Sequence, residues 1–139
     1  CVSVTTDEAI KVEGATGFIG THTQRMVFGS STGRKVNTFV YRFRITNLRD
    51  QKVQLQGRHL LFTDSTGKLT EIEKGSPGVL GKQPILKPNE TFEYFSIYET
   101  EAPSATFKGS FQMIEPLSDE KFDTHFGPME MLKTVKCRE

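Results

Sequence analysis

The chain has no tryptophan, only two cysteines, and no apolar run longer than a few residues. A membrane-spanning helix needs about 20 consecutive apolar residues, so none is encoded here. The missing tryptophan removes the buried indole that marks antibody-type sandwiches. The cysteines, Cys1 and Cys137, stand at opposite ends. A sandwich disulfide pins two mid-domain strands, so this pair predicts two free thiols in a reducing compartment. Such a chain is expected inside the cell, in cytoplasm or mitochondrion. It begins without methionine and without a signal peptide, which reads as a trimmed start.

Acidic residues are missing from one long stretch. Between Gly14 and Arg49 there is no Asp or Glu, while Arg25, Arg34, Lys35, Arg42, Arg44 and Arg49 all fall there. The acids gather between Glu71 and Asp123, so a net charge of only +1 hides a polarised chain. If all six cations met phosphates, counterion release at roughly −0.9 each would give a log–log salt slope of about −5. Arg34, Lys35, Arg42 and Arg44 form the candidate basic patch. Against a nucleic-acid reading, the alternation in Phe39-Val40-Tyr41-Arg42-Phe43-Arg44 puts aromatics and arginines on opposite faces. A stacking platform needs both on one face.

What the chain does contain is period-two alternation. Phe39, Tyr41, Phe43 and Ile45 share one face; Arg42, Arg44 and Thr46 share the other. Asn47-Leu48-Arg49-Asp50 is predicted as a turn and 53–63 as a strand, with Gly57 as a bulge. Asp64-Ser65-Thr66-Gly67 fits a type I turn, with Asp first and Gly last. Strands follow over 68–73, 91–98 and 107–114, the last with Gly109 inside it. Then come a short strand over 122–126 and a last edge at 129–132. The stretch from Gly14 to Lys35, with five glycines, reads as strand ends around a long, mobile loop. No amphipathic helix is present. Short strands at regular spacing predict an all-β, immunoglobulin/fibronectin type III-like β-sandwich, as one domain over 1–139.

Two phosphate-binding motifs are tested and set aside. Gly14-Ala15-Thr16-Gly17-Phe18-Ile19-Gly20 has dinucleotide-fingerprint spacing, but no helix pattern follows it and no acid occurs after it before Asp50. It is expected to be a glycine-rich turn at a strand end. Gly29-Ser30-Ser31-Thr32-Gly33-Arg34-Lys35 is one residue short of a P-loop, and Val36 stands where a magnesium-binding hydroxyl belongs; it reads as a hairpin tip. His22, His59 and His125 have no metal-ligand spacing, and no nucleophile–base or paired-carboxylate motif proposes an enzyme. No metal or cofactor is expected.

The middle and end of the chain resemble the ApaG domain family. Ile45-Thr46-Asn47-Leu48, then Val53-Gln54-Leu55 with Arg58-His59, then Thr63-Asp64 and Gly67 carry the resemblance. Gly78-Val79-Leu80-Gly81 with Gln83-Pro84, then Leu86, Pro88, Glu90 and Phe92-Glu93-Tyr94 continue it. Phe107, Gly109, Phe111-Gln112-Met113 and Phe122-Asp123 complete a series over 39–132. Residues 1–38 diverge. So does the family's glycine loop, one residue longer here between Gly75 and Gly78. The resemblance implies a fibronectin-type-III-like sandwich without established enzymatic activity. It implies a role in ion homeostasis in bacterial members and partner binding in fused ones.

The expected function is therefore a non-catalytic protein-binding module within a larger assembly. The alternative is a phosphate, nucleotide or RNA site formed by Arg58, His59, Gly75, Gly78, Gly81 and Lys82. Adjacent strand residues face opposite ways, so one of Arg58 and His59 is expected to point inward and secure the glycine loop. A nucleoside-polyphosphate hydrolase is the weakest reading. Asn89-Glu90-Thr91 matches a glycosylation sequon but reads as a turn.

Overall fold

The computed structural model describes residues 1–24, 33–77 and 81–133, the side chains of 24 and 75–77 excepted. Nine strands run in chain order: β1 (Val2–Asp7), β2 (Ile10–Gln24), β3 (Arg34–Asn47), β4 (Val53–Asp64), β5 (Leu69–Pro77), β6 (Ile85–Leu86), β7 (Thr91–Thr100), β8 (Ser104–Glu115) and β9 (Glu120–Leu132). One antiparallel sheet has the order β1-β2-β3-β7. The other has β5-β4-β8-β9, with β6 also pairing β4. No helix occurs among the described residues.

The alternation in β3 explains the stacking of the sheets. Phe39, Tyr41, Phe43 and Ile45 are buried, and Arg42 and Arg44 are exposed. From the facing sheet, Leu55, Leu60, Phe62, Phe107, Phe111, Met113, Phe126, Met129 and Met131 fill the same core. Gly57 sits at the predicted bulge, where the β4–β8 register shifts between Leu55 and Gly57. Gly109 is required by close approach: a Cβ there would lie 1.9 Å from the His59 carbonyl oxygen.

Three expectations need correction. First, Gly14, Gly17 and Gly20 lie inside β2, a 15-residue strand paired with both β1 and β3. Local glycine content reads as loop, but here small residues serve packing. A Cβ on Gly14 would meet the Met129 Sδ at 2.6 Å. Second, the two short terminal strands are one strand, β9. Gly127 and Pro128 sit in a bulge opposite Lys108, which absorbs the proline without ending the ladder. Third, Cys1 is disulfide-bonded rather than a free thiol. The fold brings Cys1 toward β9: the Thr16 N–H donates to the Cys1 carbonyl, and the Thr16 hydroxyl donates to the Glu130 carbonyl. Cys137 lies outside the described residues, as does most of the predicted hairpin tip at 29–35.

Buried polar side chains join the sheets at their two ends. Asn47, fully buried, donates to the carbonyls of Gln51 and Leu86 and accepts from the Arg49 N–H. At the other end Asp64, 6% exposed, accepts from the hydroxyls of Thr66 and Thr100 and from the N–H groups of Thr66 and Lys68. The Thr66 hydroxyl, followed by these other donors, holds the Asp64 carboxyl below the usual carboxylate range despite its burial.

A depressed folded pKa means the Asp64 contribution is complete above the unfolded value, near 3.9, and disappears as pH falls through the folded value. Denaturant titrations should show Asp64→Asn less stable by about 1–3 kcal/mol at neutral pH. The gap should stay constant above about pH 5 and narrow in more acidic buffer. A gap unchanged down to pH 2 would refute this role.

Candidate functional site

The structure separates Arg58 from His59. Arg58 pairs with core residue Phe111 across β4 and β8, so it faces the interior. His59 faces out and pairs with Ser110. Its Nε2 lies 2.7 Å from Glu71 Oε2, within hydrogen-bond distance on the outside of the second sheet. The inward guanidinium lies over Tyr94, with Cζ 5.9 Å from the ring centroid. Its Nε and Nη1 atoms are buried and, among the described residues, meet no hydrogen-bond partner; the same holds for the buried Tyr94 hydroxyl. Burial pushes the Tyr94 phenol well above its ordinary range, the Arg58 cation opposing that shift.

The glycine loop is only partly visible. Gly75 belongs to β5, Gly81 has φ 76°, and Lys82 is exposed. Gly78, Val79 and Leu80 lie outside the described residues. The strand before the loop, and the short β6 after it, agree with the expectation that no helix N-terminus faces it. A cleft of about 370 Å³ nearby is lined by Gln56, Gly57, Gln83, Gln112, Lys121 and Asp123 among others, and by neither Arg58 nor His59.

Two of the four cations of the candidate basic patch are paired with acids. Arg34 makes two hydrogen bonds to Glu101, at 2.9 and 2.8 Å. Arg44 lies 2.7 Å from Glu93 on β7. Arg49 is a structural clamp, 14% exposed, bonded to Glu8 and Glu115 and set 3.7 Å above the Phe122 ring. It ties the β1–β2 turn to the β8–β9 hairpin. Arg25 lies outside the described residues. Arg42 and Lys35 make no ion pair among the described residues, and two such cations would reduce the salt slope to about −1.8 at roughly −0.9 each. The sequence pattern alone misses these partners because the acids sit on β7 and in distant turns.

It also misses Phe95. Tyr41 and Phe43 do face away from Arg42, but the β3–β7 register sets Phe95 directly opposite Arg42 on the outer face. Phe95 is 65% exposed and Ile97 is 52% exposed. Alternation within 91–98 was the available signal; which strand lies beside Arg42 was not.

Among the described residues no group of three His, Cys, Asp or Glu side chains is placed to hold a metal. No helix among them is long and apolar enough to cross a membrane.

Two antiparallel sheets in this order define a fibronectin-type-III-like β-sandwich. The family model for the ApaG domain matches residues 29–115, and the chain belongs to that family. Protein ApaG of Beijerinckia indica is 43% identical over 81 residues, 58% of this chain and 61% of the relative. Protein ApaG of Chromobacterium violaceum is 39% identical over 85 residues, 61% and 66% respectively. The chain thus spans under two thirds of the length of the curated relatives it matches. Among solved structures, the structural-genomics target SoR45 superposes with a TM-score of 0.78 at 29% identity, covering 91% of this chain and 88% of that one. A Bordetella pertussis protein described as ApaA gives 0.75 at 24%, covering 88% and 92%; that likeness speaks for the fold alone.

The different surroundings of the two arginines predict different costs. Arg49→Ala should lower stability by about 2–3 kcal/mol, because it leaves Glu115 half-buried and unpaired. Arg42→Ala should change it by less than about 0.5 kcal/mol. Equal effects in urea titrations would show that Arg49 is not the clamp described.

Proposed function

We propose that this chain is a non-catalytic protein-binding module that works within a larger assembly. The observation that carries the reading is the outer face of the first sheet. There Phe95 and Ile97 are exposed two residues apart on β7, and half-buried Val40 pairs directly with Ile97. The polar outer face of the second sheet, with its His59–Glu71 contact and Lys74–Asp123 ion pair, gives the contrast. Affinity purification of the tagged chain from native lysate, followed by native mass spectrometry, tests the reading. A stoichiometric partner is expected. Recovery of the monomer alone would refute it.

A second reading is favoured by one specific observation, the buried Nε and Nη1 of Arg58, unpartnered among the described residues. Buried guanidinium nitrogens without an acceptor are costly, and an anion would relieve that cost. Pyrophosphate or a nucleotide brought to Arg58 beside the glycine loop supplies such an anion. Calorimetry with pyrophosphate, nucleotides and short RNAs should then show binding that Arg58→Met abolishes. Without a ligand, that variant should be as stable as the parent or more so, since an apolar side chain of similar reach suits the site. Silence across the panel would remove the reading.

A further inference from the structure

The outer face of the first sheet has a definite layout. Side chains two apart on each strand share it, and the register sets them in rows. One row runs Val2, Ala15, Arg42, Phe95; the next runs Gly17, Val40, Ile97. Phe95, Ile97 and Val40 stand along β7 and β3. Ala15 and Gly17 make β2 a low floor beside them. The result is a shallow apolar trough with Arg42 inside it.

The charges around the trough are already matched. Arg44 is held by Glu93 and Lys11 by Glu13, while His22 lies beside Glu99. Arg42 makes neither an ion pair nor a hydrogen bond, alone among the cations of this face in the described residues. This is not the footprint of a polyanion, which needs a run of free cations. One unmatched cation amid apolar side chains asks for one carboxylate flanked by apolar groups.

The backbone of the face narrows the choice further. β2 and β3 are each paired on both sides and β7 is paired with β3 alone, so main-chain hydrogen bonds are on offer only along the β7 edge and not across the face itself. A segment lying on it must satisfy its own backbone, which a helix does and an extended strand does not. Crossing from β2 to β7 spans roughly 10 Å at about 4.8 Å per strand, or about two turns of helix.

We infer that the trough binds an amphipathic helix of a partner protein, with apolar residues against Phe95, Ile97 and Val40 and one Asp or Glu on Arg42. This rests on the protein-binding reading above and names the face and the partner chemistry.

The test uses displayed helical peptides of about four turns, with randomised positions on one face, selected against the whole chain. The expected consensus is apolar residues at i, i+3 or i+4, and i+7 around one acid. Its synthetic peptide should lose about ten-fold in affinity when the acid becomes Lys. Arg42→Glu should reverse that preference, and Phe95→Ala should weaken binding about ten-fold. Both residues are exposed, and an unchanged melting temperature confirms that the variants fold. Amide shift changes in the ¹⁵N-labelled chain should cluster on β2, β3 and β7. The inference fails if selection returns no acidic consensus, if Arg42→Glu leaves the preference unchanged, or if shifts map to His59 and Ser110. It also fails if an oligo-U RNA binds this face instead, or if sedimentation shows self-association that Phe95→Ala abolishes. Should the lysate partner persist with Arg42→Glu and Phe95→Ala, the module reading stands and this face is wrong. Should no partner exist at all, both fall.

Discussion

Phe43 sits where the two sheets meet, and the packing of this sandwich is arranged around it. Its ring centroid lies 4.7 Å from Phe126, 5.4 Å from Phe111 and 6.1 Å from Phe107, all on the facing sheet. On its own sheet it lies 5.6 Å from Tyr94 and 5.9 Å from Tyr41. Tilted and edge-on ring pairs add about 0.5–1.5 kcal/mol each beyond burial, and only at particular separations. That requirement sets the spacing of the sheets. It also explains the small residues beside the cluster. Gly14 pairs with Phe43 in the ladder and leaves room for Met129, and Gly109 lets β8 approach β4.

A core built from rings offers few partners to polar groups, so those groups work at its ends. Asn47 at one end and Asp64 at the other are buried and hydrogen-bonded, and each bridges the sheets. Arg49 ties two turns together at the first of these ends. Arg58 departs from this pattern: it enters the core side, and two of its nitrogens meet no partner there among the described residues. The interior and both ends are largely committed to structure, and the outer faces carry the side chains that are not. They differ in kind. The second sheet presents paired polar side chains, and the first presents an apolar trough around one free cation.

Much of the fold was legible in the sequence. The alternation from Phe39 to Thr46 identifies β3, its buried face and its exposed arginines. The turn at Asp64-Ser65-Thr66-Gly67 forms where its residues predict, closed by a bond from the Gly67 N–H to the Asp64 carbonyl. Errors arose where a residue's role depends on something distant. Gly14 looked like a turn because glycine is read locally, yet it answers Met129 far along the chain. Arg49 looked like part of a basic surface because Glu8 and Glu115 are remote in sequence. Cys1 looked unpaired because the meeting of β1 with β9 cannot be seen in one dimension.

The sequence by itself determined which side chains along each strand face in and which face out, where most turns fall, and the family to which the chain belongs. Those properties follow from a period of two and from local backbone preferences. Tertiary structure alone decided which strands lie side by side, and hence which charges are neutralised. Arg42 and Arg44 are equivalent in the alternation of β3. Register gives Glu93 to Arg44 and Phe95 to Arg42, so one becomes half of an ion pair and the other a free cation in an apolar trough. Pairing between strands is a long-range choice, made by the packing of the whole core, and the candidate recognition surface comes from it.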